Sequence, residues 1–179
     1  MSDEARIKYY DFSKFPPIPG VTPLTPLTVA TTAATQTTLA TLKLKHIRPD
    51  DRQVLSASID LTFTGTIPAQ TGALTVATLT VTYRIWRDAV NTGTLVAQFR
   101  DTLATQIAAA ATTFTAIGTT SFKVTDTLAP KGNHTYFLTA EVTGFSALNA
   151  AGAAVAITTP VVSVGSLELN GFVVDENES

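Results

Sequence analysis

The chain has 179 residues, 45% hydrophobic and only 15% charged, with a formal net charge of −2 and no cysteine. That length supports one domain with a real core. The absence of a basic stripe argues against a nucleic-acid partner, and the absence of cysteine excludes disulfides, thiolate metal sites and thiol nucleophiles.

The opening MSDEARIKYYDF has no apolar core of a secretory signal, and no run reaches the ~18 apolar residues of a membrane span. The expectation is a protein left in the cytosol that makes it, with no membrane partner. Met1–Lys14 is polar and mixed in charge, yet holds Tyr9, Tyr10 and Phe12. It reads as a flexible tail, or as an anchor that orders on a partner.

Phe15–Leu42 contains no charged residue. Its first part, FPPIPGVTPLTPLTV, carries Pro16, Pro17, Pro19, Pro23 and Pro26. Proline fixes φ and removes the N–H donor, so this piece is expected to run extended and not to form a central strand. Phe15, Ile18, Val21, Leu24, Leu27 and Val29 are set between the prolines. A solvated linker needs no such side chains. The segment is expected to lie along an apolar groove, either on its own domain or on a neighbouring copy. The chain then divides into an N-terminal arm and connector (1–38), a domain (39–174) and an acidic tail (175–179).

Within the domain, alternation with period two predicts strands. Leu39–Ile47 points Ala40, Leu42 and Leu44 inward, and Arg48–Arg52 turns at Pro49. Val54–Thr64 puts Leu55, Ala57, Ile59, Leu61 and Phe63 on one face, and Gly65–Gly72 reads as a loop. Ala73–Trp86 is the longest clean pattern, with Ala77, Leu79, Val81, Tyr83 and Ile85 on one face and Thr78, Thr80, Thr82, Arg84 and Trp86 on the other. Thr94–Arg100 is a shorter strand with Leu95, Ala97 and Phe99 inward. Thr102–Ala111 is a strand or irregular edge, although its propensity also allows a helical turn. Thr113–Gly118 and Ser121–Thr127 read as strand pieces, followed by the turn Ala129–Asn133. His134–Val142 points His134, Tyr136, Leu138, Ala140 and Val142 one way. Gly144–Gly152 reads as a small polar loop, and Val155–Thr159 and Val161–Val174 close the chain around Pro160. Eight or nine strands at regular spacing predict an all-β, antiparallel two-sheet sandwich or jelly roll.

Residues for chemistry are sparse. His46 and His134 are the only histidines, far apart in the chain and without metal-ligand spacing. His134 reads as a turn cap, and Asp50 and Asp51 as turn residues. No nucleophile elbow, phosphate loop, dinucleotide fingerprint or calcium loop is present. No catalytic, cofactor-binding or metal-binding residue is expected, and the chain reads as a non-enzyme. Arg84, Trp86 and Arg87 offer a small recognition patch or simply a sandwich rim.

Three stretches carry a resemblance: the Thr-rich strand ending YRIW, then SFKVTDTLAPKGNHTYFLTAEV, then GSLELNGFVV. Together they resemble bacterial tumour-necrosis-factor-like jelly rolls at the C-termini of spore-surface filament proteins, over about Leu39–Val174. FPPIPGVTPLT at Phe15–Thr25 is similar to the leader of exosporium proteins of Bacillus-type spores. The second Pro-Pro-Phe element and the collagen-like region usual in those proteins are absent. A leader joined directly to a jelly roll resembles the core subunits of thin endospore appendages. The resemblance implies a homotrimer that stacks head to tail into a fibre, and an appendage on the spore surface assembled from the mother-cell cytosol, with a spore-surface anchor protein as a further partner. Phe15, Pro16, Pro17, Ile18, Pro19, Val21, Leu24 and Leu27 would dock in a groove of the neighbouring trimer. Two alternatives remain open: a phage or virus structural jelly roll, and a carbohydrate-binding module.

Overall fold

The computed structural model describes residues 6–15, 25–27, 36–70, 74–109 and 112–175. Nine strands run in chain order: β1 (Arg6–Phe15), β2 (Thr25–Leu27), β3 (Thr37–Ile47), β4 (Arg52–Thr66), β5 (Thr75–Arg87), β6 (Thr94–Ile107), β7 (Thr113–Asp126), β8 (Gly132–Asn149) and β9 (Thr158–Asp175). One sheet has the order β1-β9-β4-β7, with β2 also on β9; the other has the order β3-β8-β5-β6. Every pairing is antiparallel. After β3 the chain crosses repeatedly between the two sheets, which makes the fold a jelly-roll sandwich.

Alternation built the core as expected. Leu55, Ala57, Ile59, Leu61 and Phe63 of β4 face Ala77, Leu79, Val81, Tyr83 and Ile85 of β5 across the gap between sheets, and all are buried. Tyr136, Leu138, Ala140 and Val142 of β8 join them. At Gly171 the sheets come close: a Cβ there would lie 3.0–3.1 Å from Leu42 and Leu55. A larger residue would wedge the layers apart.

Several boundaries differ from the sequence reading. β8 runs on through Gly144, which pairs with Thr80, so the expected loop shrinks to the turn after Asn149. β9 runs through Pro160, at a point where β4 pairs on one side and β2 begins only at Val162 on the other. An edge of this kind tolerates a residue without an N–H. β6 is one strand to Ile107, and an irregularity where it meets Ile85 and Trp86 shifts its faces. Leu95 is therefore exposed, while Val96, Phe99 and Leu103 pack on the core.

The largest correction is at the N-terminus. Arg6–Phe15 is no tail but a ten-residue strand along β9, from Arg6 opposite Asp175 to Phe15 opposite Leu167. The sandwich thus draws on residues well before 39.

Candidate assembly interface

The last strand, β9, is the spine of its sheet. β4 occupies one of its edges; β1 and β2 lie end to end along the other. β1 is an outer strand with much apolar surface in solvent: Ile7, Tyr10 and Phe12 are all more than half exposed, and Tyr10 stacks on Phe12 at 5.9 Å. Tyr9 packs against the core, and three side-chain contacts tie the strand down. Tyr10 donates to Asn170 (2.9 Å), Lys8 pairs with the buried Asp51 (3.0 Å), and Asp11 accepts the Lys43 backbone N–H from β3 (2.8 Å). That last contact caps a free donor on the β3 edge and closes this side of the sandwich.

Of the eight residues expected to dock on a neighbour, two are fixed on the chain itself. The Phe15 backbone pairs with Leu167, and Leu27 is buried in the core beside β9. β2 is an inward-facing edge strand, so Leu27 has an apolar gap to fill at home. Pro16, Pro17, Ile18, Pro19, Val21 and Leu24 lie outside the described residues. Their two flanking residues sit opposite Leu167 and Val164, three strand positions or roughly 10 Å apart.

The other singled-out residues serve the fold. His134 bridges two turns: its Nδ1 lies 2.9 Å from Asp88, and its Nε2–H donates to the Pro130 carbonyl at 2.8 Å. His46 has φ 59°, and its N–H donates to Asn133. Asp51 accepts the Arg48 N–H and so closes the β3–β4 turn. The expected patch separates. Arg84 points outward to Glu141 and Gln98, and the Trp86 indole donates to Gln36 (3.1 Å). Arg87 faces inward, where its Nη1 meets Asp126 at 2.6 Å; both side chains are buried. Tyr136 donates to the same carboxylate at 3.0 Å. Burial, and then the neighbouring Asp126 charge, push its phenol well above the ordinary tyrosine range. Sequence reasoning missed this cluster because Arg87 and Asp126 lie far apart in the chain, at the ends of strands that belong to different sheets.

On the opposite side of the sandwich, β6 and β7 are sheet edges that do not pair with each other. A cleft of about 250 Å³ opens between them onto the core residues Leu61, Leu79 and Val81, with Asp101 and Thr119 at its mouth. Asp60 lies nearby. Hydroxyl donation from Ser166, then Thr119, holds its carboxyl below the ordinary carboxylate value, against a smaller effect of burial. Among the described residues, no three His, Asp or Glu side chains gather as metal ligands.

No family model and no curated protein matches the chain. Among solved structures, it is similar to one of infectious bursal disease virus, Gx strain, at 15% identity over 99% of this chain and 39% of that one, TM-score 0.31. A structure of the Gt strain of the same virus matches at 13% identity over 96% of this chain and 42% of that one, TM-score 0.24. The chain spans about two-fifths of the length of either. At these scores neither likeness bears on what this chain does.

Proposed function

We propose that the chain is a non-enzymatic structural subunit that assembles with its own copies into a fibre, handing its N-terminal strand from copy to copy. The observation that carries this reading is the placement of β1: an outer strand on an edge of β9, followed by a proline-rich connection. The same edge on a neighbour offers β1 the same hydrogen bonds and the same side-chain partners, so an exchange costs little. Pro16, Pro17, Pro19 and Pro23 favour an extended run over a return. Nine residues of polyproline II reach roughly 28 Å, well beyond the ~10 Å needed at home. A head-to-tail exchange does not close, so it propagates as a filament. With the resemblance of Phe15–Thr25 to spore-coat leaders, the reading extends to trimers stacked head to tail in a spore-surface appendage.

A sugar-binding reading has less material, because the Trp86 indole N–H is engaged by Gln36 and Arg84 by Glu141 and Gln98.

A cysteine pair tests the exchange, and the natural chain has no cysteine to interfere. Phe12 lies directly opposite Asn170, at a spacing of about 4.5–5.5 Å between Cα atoms that a disulfide can span. Fibres of the Phe12→Cys, Asn170→Cys variant, oxidised after assembly, should give a ladder of covalent multimers on a non-reducing gel. Fibres that yield only cross-linked monomer would refute the exchange. A wild-type chain that stays monomeric at high concentration would refute assembly itself.

A further inference from the structure

Charge is divided between the two halves of this sandwich. Residues 15–42, 61–83, 102–122 and 142–167 contain no Asp, Glu, Lys or Arg. The pairings bring the last three of these stretches to one half: Leu61 lies opposite Val164, Thr80 opposite both Thr102 and Gly144, and Thr66 opposite both Thr113 and Thr158. Of the first stretch, β2 joins them opposite Val162 and Val164, while the start of β3 pairs with β8 in the other half. That half ends in the three connections that follow β4, β6 and β8. The other half ends in the β3–β4, β5–β6 and β7–β8 turns. It holds the described ion pairs Lys8–Asp51, Arg84–Glu141, Arg87–Asp126 and His134–Asp88. Asp60 and Asp101 mark the boundary at mid-strand.

Exposed turns are ordinarily built from charged and strongly polar residues. At the uncharged end the solvent-facing described residues include Ala150, Ala151, Ala153 and Ala154 beside uncharged threonines and an apolar patch. The patch is a cross-strand pair, Val76 opposite Leu148, with Leu74 next to it; all three are exposed. Depletion of charge marks the centre of protein interfaces, not free surface.

We propose that this uncharged half is a contact face for a second copy of the same chain, which packs against it with its own uncharged half. The occupant follows from charge. A partner surface bearing ions would leave them desolvated and unpaired, since this half offers nothing to pair with them. The chain's opposite end is such a surface and is excluded as the partner. The uncharged half of another copy brings no ion. Contact is then neutral against neutral about a symmetry axis, and β1 is left free for exchange along the fibre. This inference rests on the reading that the chain self-assembles, but not on strand exchange.

Sedimentation equilibrium of the full chain tests it. Raising NaCl from about 0.1 to about 1 M shortens the screening length from roughly 10 to 3 Å; it should leave the association constant unchanged or higher. Leu74→Glu with Leu148→Glu places like charges in the contact and should weaken association at least about tenfold. The melting temperature of the dissociated chain should hold, because both side chains are already exposed. Leu128→Glu, at the charged end, should change nothing. The inference is overturned if the double variant associates like wild type, or if wild-type association falls tenfold with salt. A monomeric wild type overturns it together with self-assembly. A covalent ladder from the cysteine pair, beside a double variant that associates normally, overturns this inference and spares the exchange.

Discussion

Asp126→Ala removes an acceptor on which three donors converge: Arg87 Nη1 at 2.6 Å, the Tyr136 hydroxyl at 3.0 Å and the Leu128 N–H at 3.1 Å. Arg87 is 6% exposed, so its guanidinium cannot swing into water; the neutral partners left to it, the Thr94 hydroxyl at 3.4 Å among them, carry no charge to offset its own. Breaking one side of a buried ion pair costs about 3–5 kcal/mol. The stranded phenol adds about 1 kcal/mol. A loss of roughly 4–6 kcal/mol is a large part of the ~5–15 kcal/mol that holds a domain together. At about 2–4 °C per kcal/mol for this size, the melting temperature falls by roughly 10–20 °C. The assay is urea unfolding at one fixed protein concentration, followed by the fluorescence of Trp86, the sole tryptophan and the neighbour of Arg87. Arg87→Met with Asp126→Leu removes both charges and should recover most of the loss, since a buried pair is often replaceable by apolar residues of similar volume. A single variant that loses under about 1 kcal/mol, or a double variant less stable than the single, refutes the reasoning.

Two glycines should differ in how much they tolerate a side chain. A Cβ on Gly93 would lie 2.2 Å from the Arg87 carbonyl oxygen and 2.5–2.6 Å from Ala89 backbone atoms, so Gly93→Ala should cost about 2–3 kcal/mol in urea unfolding. A Cβ on Gly118 meets only the end of the Leu103 side chain, at 2.8 Å, and Gly118→Ala should cost less than about 1 kcal/mol by the same measurement. His134→Ala breaks the link between Asp88 and the Pro130 carbonyl and should lower stability by about 1–2 kcal/mol. Asp60 has a depressed folded-state pKa, so its contribution is present above the unfolded carboxylate value and disappears as pH falls through the folded one. The stability gap between wild type and Asp60→Asn should therefore be open at neutral pH and close in acid; a gap that widens in acid would contradict the assignment.

The strands that were legible in the sequence are those with one face in the core and one in water. β4 and β5 put every alternate residue where the pattern placed it, because burial on one face only is what period two encodes. β1 was not legible, since an outer strand with Ile7, Tyr10 and Phe12 in solvent has no reason to alternate in hydrophobicity. The far part of β8 was hidden for a related reason. Gly144, Ser146 and Asn149 have turn character, and only pairing with β5 holds them extended. Leu95 failed through a single irregularity, as one extra residue turns a strand's faces over. Of the apolar residues set among the prolines, Leu27 is buried beside β9 of its own chain. Local pattern shows that such side chains want an apolar surface, but not which molecule supplies it.

The position of β9 sets the order of events at synthesis. Its partners β1, β2 and β4 are all made before it, so β1 leaves the ribosome long before the strand it pairs with. Until the eighteen residues of β9 emerge, half the sandwich has no spine, and β4 must ride with one flank bare. Such remote pairings make for slow maturation and a window for wrong partners. During that interval the newborn N-terminal strand is unoccupied too, so a finished copy nearby could receive it before its own chain is complete.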